Sequence, residues 1–343
     1  MALRLLIAAN SFYPSVGGYE RVALLIAREL HARGCEVKVV TFTAESGDSK
    51  LPFEVIRNPG ALSLIRLLRW SDIYLQNNIS LRLLWPLLFV RRPLVCVHHG
   101  FYRSPDDTMF SWRYRLKHLI TLLSINIAVS SAVAEALPGK STVCANPYSE
   151  EMFYRIPSIA KDRDLFFVGR LVSDKGVDLL IDAMAMLRDR GLEPNLAIAG
   201  SGPEKAALKQ RTLEQGLGGK IAFVGRVSDD KLNELLNAHK IMVVPTRTGE
   251  GFGVVALEGI ACGCVVVGSS DGGLPEAIGR CGRIFAKGDS AALADSLRDL
   301  LVNPEAWQVH LAHARAHLES HRPEFVVEQY LQLLNKLMHL RSG

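Results

Sequence analysis

Cysteine is scarce in this chain: six in 343 residues, at 35, 96, 144, 262, 264 and 281, with no C-x-x-C pair. That excludes a disulfide-stapled scaffold. Cys262-Gly263-Cys264 has no second cluster at zinc spacing, so no structural zinc is expected. Long apolar runs are missing too. The longest, Leu81 to Val90, contains Arg82 and ends at Arg91 and Arg92. It falls far short of the ~20 residues that span a bilayer. The short apolar start, Leu3 to Ala9 with one early arginine, reads as a buried strand rather than a signal peptide. No repeat of fixed period is visible. What is plentiful is apolar content, 48%, against 22% charged and 7% aromatic residues. This is a globular composition with material for two cores, and disordered or collagen-like classes are excluded. The expected place is cytoplasmic, or peripheral on the inner face of a membrane.

Charge is uneven. Residues 1–150 carry 17 Lys/Arg against 11 Asp/Glu, and the remainder 23 against 24. A basic first half suits an anionic partner. The richest patches are Trp112-Arg113-Tyr114-Arg115-Leu116-Lys117-His118, with Arg103 upstream, and Arg66-Leu67-Leu68-Arg69-Trp70. Cations interleaved with aromatics fit an anionic membrane surface; a solvated helix face fits them equally. Nucleic acid is not expected, because no nucleic-acid-binding motif accompanies the charge.

Short apolar runs alternate with helical patterns. Strands are expected at Leu3–Ala9, Glu36–Phe42, Asp72–Leu75, Leu94–Val97, Ile125–Val129 and Thr142–Cys144, with helices at Tyr19–Arg33, Ser80–Phe89, Thr108–Leu123 and Ala132–Leu137 between them. The alternation then restarts with strands at Leu165–Val168, Leu196–Ala199, Ile221–Val224, Ile241–Val244 and Val265–Val267. The second set of helices is expected at Val177–Arg190, Glu204–Gln215, Asp229–Ala238, Val254–Cys262, Ala291–Leu300 and Glu305–Glu319. Continuously apolar strands such as Ile241-Met242-Val243-Val244 are covered on both faces, which implies parallel sheets. The expected architecture is α/β: two Rossmann-like, doubly wound parallel-sheet domains facing a cleft. They are placed at 1–158 and 159–322, joined near the polar stretch Arg155–Asp162. An amphipathic helix over 323–343 (Phe325, Val326, Tyr330, Leu331, Leu334, Met338) is left to pack on either domain, including back on the first. Ligands of such sheets bind beyond the C-terminal strand ends, so chemistry belongs in the loops after strands.

Three loops carry it. The first strand is followed by Pro14-Ser15-Val16-Gly17-Gly18-Tyr19-Glu20 and a helix. A glycine pair before a helix lets backbone N–H groups approach an anion, although a tight turn needs glycine as well. The loop is not G-x-G-x-x-G, so a dinucleotide is not indicated. The second, Gly169-Arg170-Leu171-Val172-Ser173-Asp174-Lys175-Gly176, leaves a strand with two cations that suit a diphosphate, although taken alone it reads better as a surface Arg and Lys making ordinary ion pairs. The third runs from Pro245 through Glu250-Gly251-Phe252-Gly253-Val254 to Glu258. Its amides and helix start can cradle a phosphate. Eight helical residues would separate the two carboxylates by about 12 Å, against the roughly 5–5.5 Å of a retaining glycosidase pair. They are therefore expected to grip hydroxyls at different places on one ligand.

Together these loops resemble the family 4 glycosyltransferases, which have the two-Rossmann GT-B fold. The resemblance covers nearly the whole chain. It rests on the glycine pair Gly17-Gly18, on Arg170 and Lys175, and on Glu250 and Glu258 at E-x7-E spacing with the Gly251-Phe252-Gly253 insert. Ala199-Gly200-Ser201-Gly202-Pro203-Glu204 and Gly272-Gly273-Leu274-Pro275-Glu276 add further glycine loops. The resemblance implies a retaining hexosyltransferase that uses a nucleotide-diphosphate sugar, with UDP-glucose or UDP-N-acetylhexosamine as the first expectation. The implied acceptor is a lipid-linked or polysaccharide intermediate, and no separate cofactor or metal is implied. Arg170 and Lys175 would meet the departing diphosphate. Glu258 would bind ribose, Glu250 and Val254 the sugar and phosphate side, and Arg226 and Val227 the base; Gly18 would close on the phosphates. His98-His99-Gly100 resembles the family's first-domain histidine; the adjacent pair leaves the register open, with His99 favoured because it precedes the glycine. Asn146-Pro147 departs from the family's usual Asn-Gly. Asp162-Arg163-Asp164, the only D-x-D, precedes a strand rather than following one, unlike a metal-holding motif. The competing readings are a GDP-mannose-dependent mannosyltransferase and a non-hydrolysing nucleotide-sugar epimerase. Further off lie a phosphorylase, a non-catalytic sugar- or lipid-binding protein and an NAD-dependent dehydrogenase.

Overall fold

A computed structural model describes residues 2–15, 17–44, 50–102 and 112–342. The chain divides into two compact units, one formed by residues 1–147 and 321–343, the other by 148–320.

The first unit runs β1 (Arg4–Ala9), α1 (Gly18–Ala32), β2 (Glu36–Thr41), β3 (Glu54–Arg57), α2 (Ala61–Trp70), β4 (Ile73–Asn77), α3 (Leu81–Leu84), β5 (Leu94–His98), α4 (Trp112–Leu123), β6 (Ile125–Ala128), α5 (Ser131–Glu135) and β7 (Ser141–Val143). Its seven strands are all parallel, in the order β3-β2-β1-β4-β5-β6-β7. β1 pairs with β2 and β4 at once, Leu5 standing between Val37 and Ile73. The strand order therefore reverses at β1. The second unit runs β8 (Arg163–Val168), α6 (Val177–Asp189), β9 (Leu196–Ala199), α7 (Lys205–Glu214), β10 (Ile221–Gly225), α8 (Asp229–Ala238), β11 (His239–Val244), α9 (Val254–Ala261), β12 (Val265–Ser269), α10 (Leu274–Ile278), β13 (Gly282–Phe285), α11 (Ser290–Val302), α12 (Pro304–Leu311) and α13 (Ala314–Glu319). Its six parallel strands are ordered β10-β9-β8-β11-β12-β13, reversing at β8. The last helix, α14 (Pro323–Ser342), belongs to the first unit.

The apolar runs build the cores as their pattern requires. Val265, Val266 and Val267 of β12 are all fully buried, as a strand covered on both faces must be. Leu180, Ile181 and Leu187 of α6 meet Leu293 and Leu297 of α11 over the second sheet. Each such leucine contributes about 1.5–3 kcal/mol by leaving water. On one side of the first sheet, Leu64 and Leu68 of α2, Leu83 and Leu84 of α3 and Ile120 of α4 converge on one cluster with Tyr74 and Cys96. The six cysteines are free and buried.

Several expectations need correction. The units divide after Pro147 rather than at 158, because α8 holds the connecting stretch. Asn237 Oδ1 accepts from Ile156 N (2.7 Å) and the Arg155 guanidinium (2.9 Å), while its Nδ2 donates to Tyr154 O. Lys161 Nζ donates to Leu236 O and His239 O. α14 packs on α1 through an Arg33–Glu328 ion pair (2.8 Å), with Val326, Val327, Tyr330 and Leu334 buried and Phe325 exposed, against its expected place on the apolar face. The edge strand β3 has no fully buried residue and so gave no apolar run. The basic patch Arg66–Trp70 ends a helix, α2. Ser80–Phe89 splits into α3 and a 3-10 turn, Trp85–Leu88, at Pro86, which cannot donate the helical hydrogen bond. β13 and α10 went unexpected, and Glu305–Glu319 is two helices. Arg103, and the part of the expected helix Thr108–Leu123 before Trp112, lie outside the described residues.

Candidate functional site

Ligands of open parallel sheets sit past the C-terminal strand ends where the strand order reverses. In the second sheet that point lies between β8 and β11, the two strands whose loops carry Arg170, Lys175 and Glu250. The chain leaving β8 passes Arg170 and makes a 3-10 turn, Ser173–Lys175. Gly176 then takes φ +64° and a Cβ there would stand 2.1 Å from Pro245 O, so only glycine lets the two loops touch. Lys175 Nζ consequently reaches Glu250 Oε2 at 2.6 Å, and Thr246 Oγ1 donates to the same oxygen at 3.3 Å. Arg170 is exposed, and its side chain has no hydrogen-bond partner among the described residues.

Glu250 is held from behind. Asp271, buried two residues past β12, accepts from Glu250 N at 2.9 Å, and Gly273 N donates to Glu250 O. Lys287 Nζ stands 3.4 Å from the other Asp271 oxygen. Gly251, Phe252 and Gly253 then turn into α9. Gly253 caps the helix at φ +97°, and Ala256 N folds back to Gly253 O, which leaves the amides of Val254 and Val255 at the helix start. Glu258 lies on α9 and is buried rather than solvated. Gly200 N donates to Gly225 O at 2.7 Å, which joins the β9 and β10 exits next to Arg226 and Val227. Arg226 is exposed and Val227 half-buried. The second unit thus brings Arg170, Lys175, Glu250 and the α9 start to one switch point, flanked by Gly200, Arg226 and Val227 at the neighbouring strand ends.

The first sheet reverses between β1 and β4. Past β1 come Gly17 and Gly18 at the start of α1; Asn77 ends β4 and Asn78 follows it, and His98 ends β5 and His99 follows it. The two histidines differ. His98 is fully buried with both nitrogens engaged, Nδ1 to Tyr102 Oη and Nε2 to Asn126 Oδ1, each at 2.9 Å. Burial pushes its pKa down to about 4, although the Asn126 bond pulls the other way. His99 donates from its backbone to Asn78 Oδ1 (2.9 Å) and pairs Nε2 with Asn77 Oδ1 (2.6 Å). With Nε2–H donating, Nδ1 holds a lone pair and has no partner. Burial, and then His98 beside it, push the His99 pKa down to about 3, so the ring is neutral at neutral pH. The ring lies 6.2 Å from that of Tyr19. Tyr19, whose phenol is bonded to Ser11 and Glu20, has its pKa raised by burial and then by the Glu20 charge. Glu20 is buried with Oε2 unpartnered, and that oxygen would stand 2.1 Å from a Cβ on Gly17. The α1 start at Gly17 therefore already faces a carboxylate. Gly18 is open, with nothing near a Cβ.

The sequence reading did not single out Asn77, Asn78, Thr246 or Asp271. The signals were present: paired asparagines at a strand end, and an aspartate before Gly272-Gly273. Asn78 takes φ +62°, a left-handed turn that asparagine tolerates.

The family described as glycosyl transferases group 1 matches residues 149–315, and glycosyltransferase family 4 matches residues 16–145. An uncharacterized glycosyltransferase of Methanocaldococcus jannaschii is 40% identical over 117 residues, covering 34% of this chain and 30% of that protein. A second from the same organism is matched over 60% of its length. The chain thus spans less than two thirds of these curated relatives. The phosphatidyl-myo-inositol mannosyltransferase of Mycobacterium leprae is 26% identical over 321 residues, 84% of each chain. Among solved structures, Anabaena HepE in complex with UDP superposes at a TM-score of 0.80 with 22% identity, over 97% of this chain and all of that one. The two matched families account for both units, and the fold is GT-B: the chain belongs to the family 4, group 1 glycosyltransferases.

Proposed function

We propose that this chain transfers a hexose from a nucleotide-diphosphate sugar to a lipid-linked or polysaccharide acceptor, with retention of anomeric configuration and without a divalent cation. The observation that carries the reading is the meeting of Lys175, Glu250 and the α9 amides beside an unpaired Arg170. The paired Lys175, the exposed Arg170 and a helix start stabilise the charge that grows on a departing diphosphate. Glu250, released from Lys175 when the diphosphate arrives, accepts from sugar hydroxyls. Glu258 takes the ribose, and Arg226 and Val227 the base. The acceptor oxygen bonds to the anomeric carbon on the face the diphosphate leaves, the carbon–oxygen bond to phosphate breaks, and the acceptor's proton passes to the leaving phosphate oxygen. The neutral His99, with its lone pair at Nδ1, and the open Gly18 serve the sugar and acceptor side.

The donor is proposed as a UDP-hexose, in keeping with the UDP named for the HepE structure. The mannosyltransferase name of the M. leprae relative favours GDP-mannose as a second reading, and its phosphatidyl-myo-inositol supports a lipid acceptor. The test is thermal stabilisation by a panel of nucleotide sugars, followed by transfer assays with chelator. Stabilisation by one donor, lost in Arg170→Ala and unchanged by chelator, is the expected result. A panel with no stabilising member, turnover abolished by chelator, or donor alone converted to its epimer would overturn the reading.

A further inference from the structure

α4 carries a stripe that its own core does not use. Its inner side is fixed: Ile120 packs into the first unit's core cluster and Thr121 is buried. On the outside, Trp112 (65% exposed), Leu116, Leu119 (52%) and Leu123 (79%) follow one another at i, i+4, i+7 and i+11. Such spacing lines up one helical face, here about 16 Å long. Soluble proteins scatter exposed apolar side chains singly, and a contiguous patch marks a contact surface. The second unit shows the ordinary case, with Leu213, Val302 and Val309 exposed on three different helices.

The stripe's charge is one-sided. α4 has Arg113, Arg115, Lys117 and His118 and no acidic residue. The Arg113 guanidinium lies over the Trp112 ring, and Lys117 Nζ over Tyr102 at 4.8 Å. α2 and α3 feed the same core cluster and so lie in the same helical layer. That layer also exposes Leu88 and Phe89 just after α3, followed by Arg91. α2 adds Arg66 and Arg69, again without an acid.

We infer that this layer, centred on α4, is a docking surface for an anionic lipid bilayer. Apolar side chains enter the acyl boundary, the Trp112 ring sits at headgroup level, and the cations meet lipid phosphates. A second copy of the chain is the poorer occupant, because a two-fold contact would set this cationic face against itself. The inference goes beyond the transfer reading, and its test contains no donor, so the two can fail separately.

The full chain is sedimented with vesicles of phosphatidylcholine, with and without phosphatidylglycerol. It is expected to pellet only with the anionic vesicles and to be released by high salt. Leu119→Glu/Leu123→Glu should weaken binding by at least about tenfold. Arg113→Glu, which leaves the apolar side chains intact, should weaken it several-fold. Both variants should keep the wild-type melting temperature and the wild-type response to nucleotide sugars. Wild type that stays in the supernatant overturns the proposal. So does a folded double variant that pellets like wild type. A dimer in size exclusion that the Leu substitutions dissociate would assign the face to a second copy instead. If the double variant does not fold, Arg113→Glu and the salt series decide.

Discussion

The two sheets reverse strand order in the same way, yet their switch points are finished differently. Around β8 and β11 the charges are paired: half-buried Lys175 with half-buried Glu250, and, on the loops after the neighbouring strands, exposed Lys287 with buried Asp271, which itself holds the Glu250 amide. At β1 and β4 buried polar atoms are left without partners: Glu20 Oε2, Asn77 Nδ2 and His99 Nδ1. A buried unpaired polar atom costs about 1–3 kcal/mol. A fold keeps such a cost where something else satisfies the group. The difference teaches that one topology supports two kinds of site. On the proposed function, the second unit would receive an anion through charge. The first offers lone pairs and N–H groups that suit neutral hydroxyls.

The largest effect should come from removing the receiver's cations. Arg170→Ala and Lys175→Ala are each expected to lower kcat by about 10²–10³-fold, as loss of one preorganised donor does, with the melting temperature little changed for the exposed Arg170. Steady-state kinetics with the donor found by the panel checks this. Full turnover in either variant would erase the contrast drawn between the two switch points.

Much of this contrast was legible in the sequence. Continuous valine and isoleucine runs placed nearly every central strand, because burial on both faces writes itself into composition. Arg170, Lys175 and Glu250 stood out only because three glycine-bearing loops after strands occur together; alone, the two cations read better as ordinary surface ion-pairing residues. What stayed hidden depends on tertiary partners. Neither histidine of His98-His99 announces which one faces inward. That is decided by Asn126 and Tyr102 closing around His98, and by Asn77 and Asn78 holding His99. Asp271 lay outside the reading because its role is to accept from a backbone amide 21 residues earlier in the chain. β3 and β13 were missed because short edge strands with one wet face carry no apolar run.

The histidine pair sharpens the comparison within the first unit. His99→Ala is expected to reduce kcat/KM by about 10²-fold at nearly unchanged stability, since general acid–base and positioning groups act on that scale. His98→Ala should do the reverse. It removes one hydrogen bond each from Asn126 Oδ1 and Tyr102 Oη, which keep Ser124 Oγ and Ile79 N, at about 0.5–1.5 kcal/mol per bond, and leaves a cavity where a fully buried ring stood. Denaturant melts beside transfer rates separate the two. Equal stability losses in both variants would mean that His99 is as structural as its neighbour.

Acid should act through the same groups. His98 and His239 titrate at about 4 and His99 at about 3 in the fold, against 6.5 when unperturbed, each lowered chiefly by burial. Between those values the unfolded chain binds more protons than the folded one, so stability falls as pH drops from about 6.5 toward 4 and is flat above 7. Two of the three lie in the first unit and one, His239, in the second. Calorimetric melting across that range should show a slope that His98→Gln and His239→Gln each make shallower. A slope unaffected by either substitution would place the acid response elsewhere.

The smallest effect tests whether every paired charge near the receiver matters. Arg247, three residues before Glu250, forks onto Asp178 at the start of α6 with contacts of 2.7 and 2.5 Å. The geometry is as good as that of Lys175 and Glu250, but both side chains are about a third or a quarter exposed. Water and salt screen such a pair, and its worth is about 0.2–1 kcal/mol. Asp178→Asn should therefore lower the melting temperature slightly, the more so at low ionic strength, and leave donor stabilisation as in wild type. The same change at Glu250, to Gln, should abolish most turnover while barely moving the melting temperature. If Asp178→Asn weakened donor binding as much as Glu250→Gln, the receiver would extend down α6, and the line between a charge that holds the loop and one that meets the ligand would have to be redrawn.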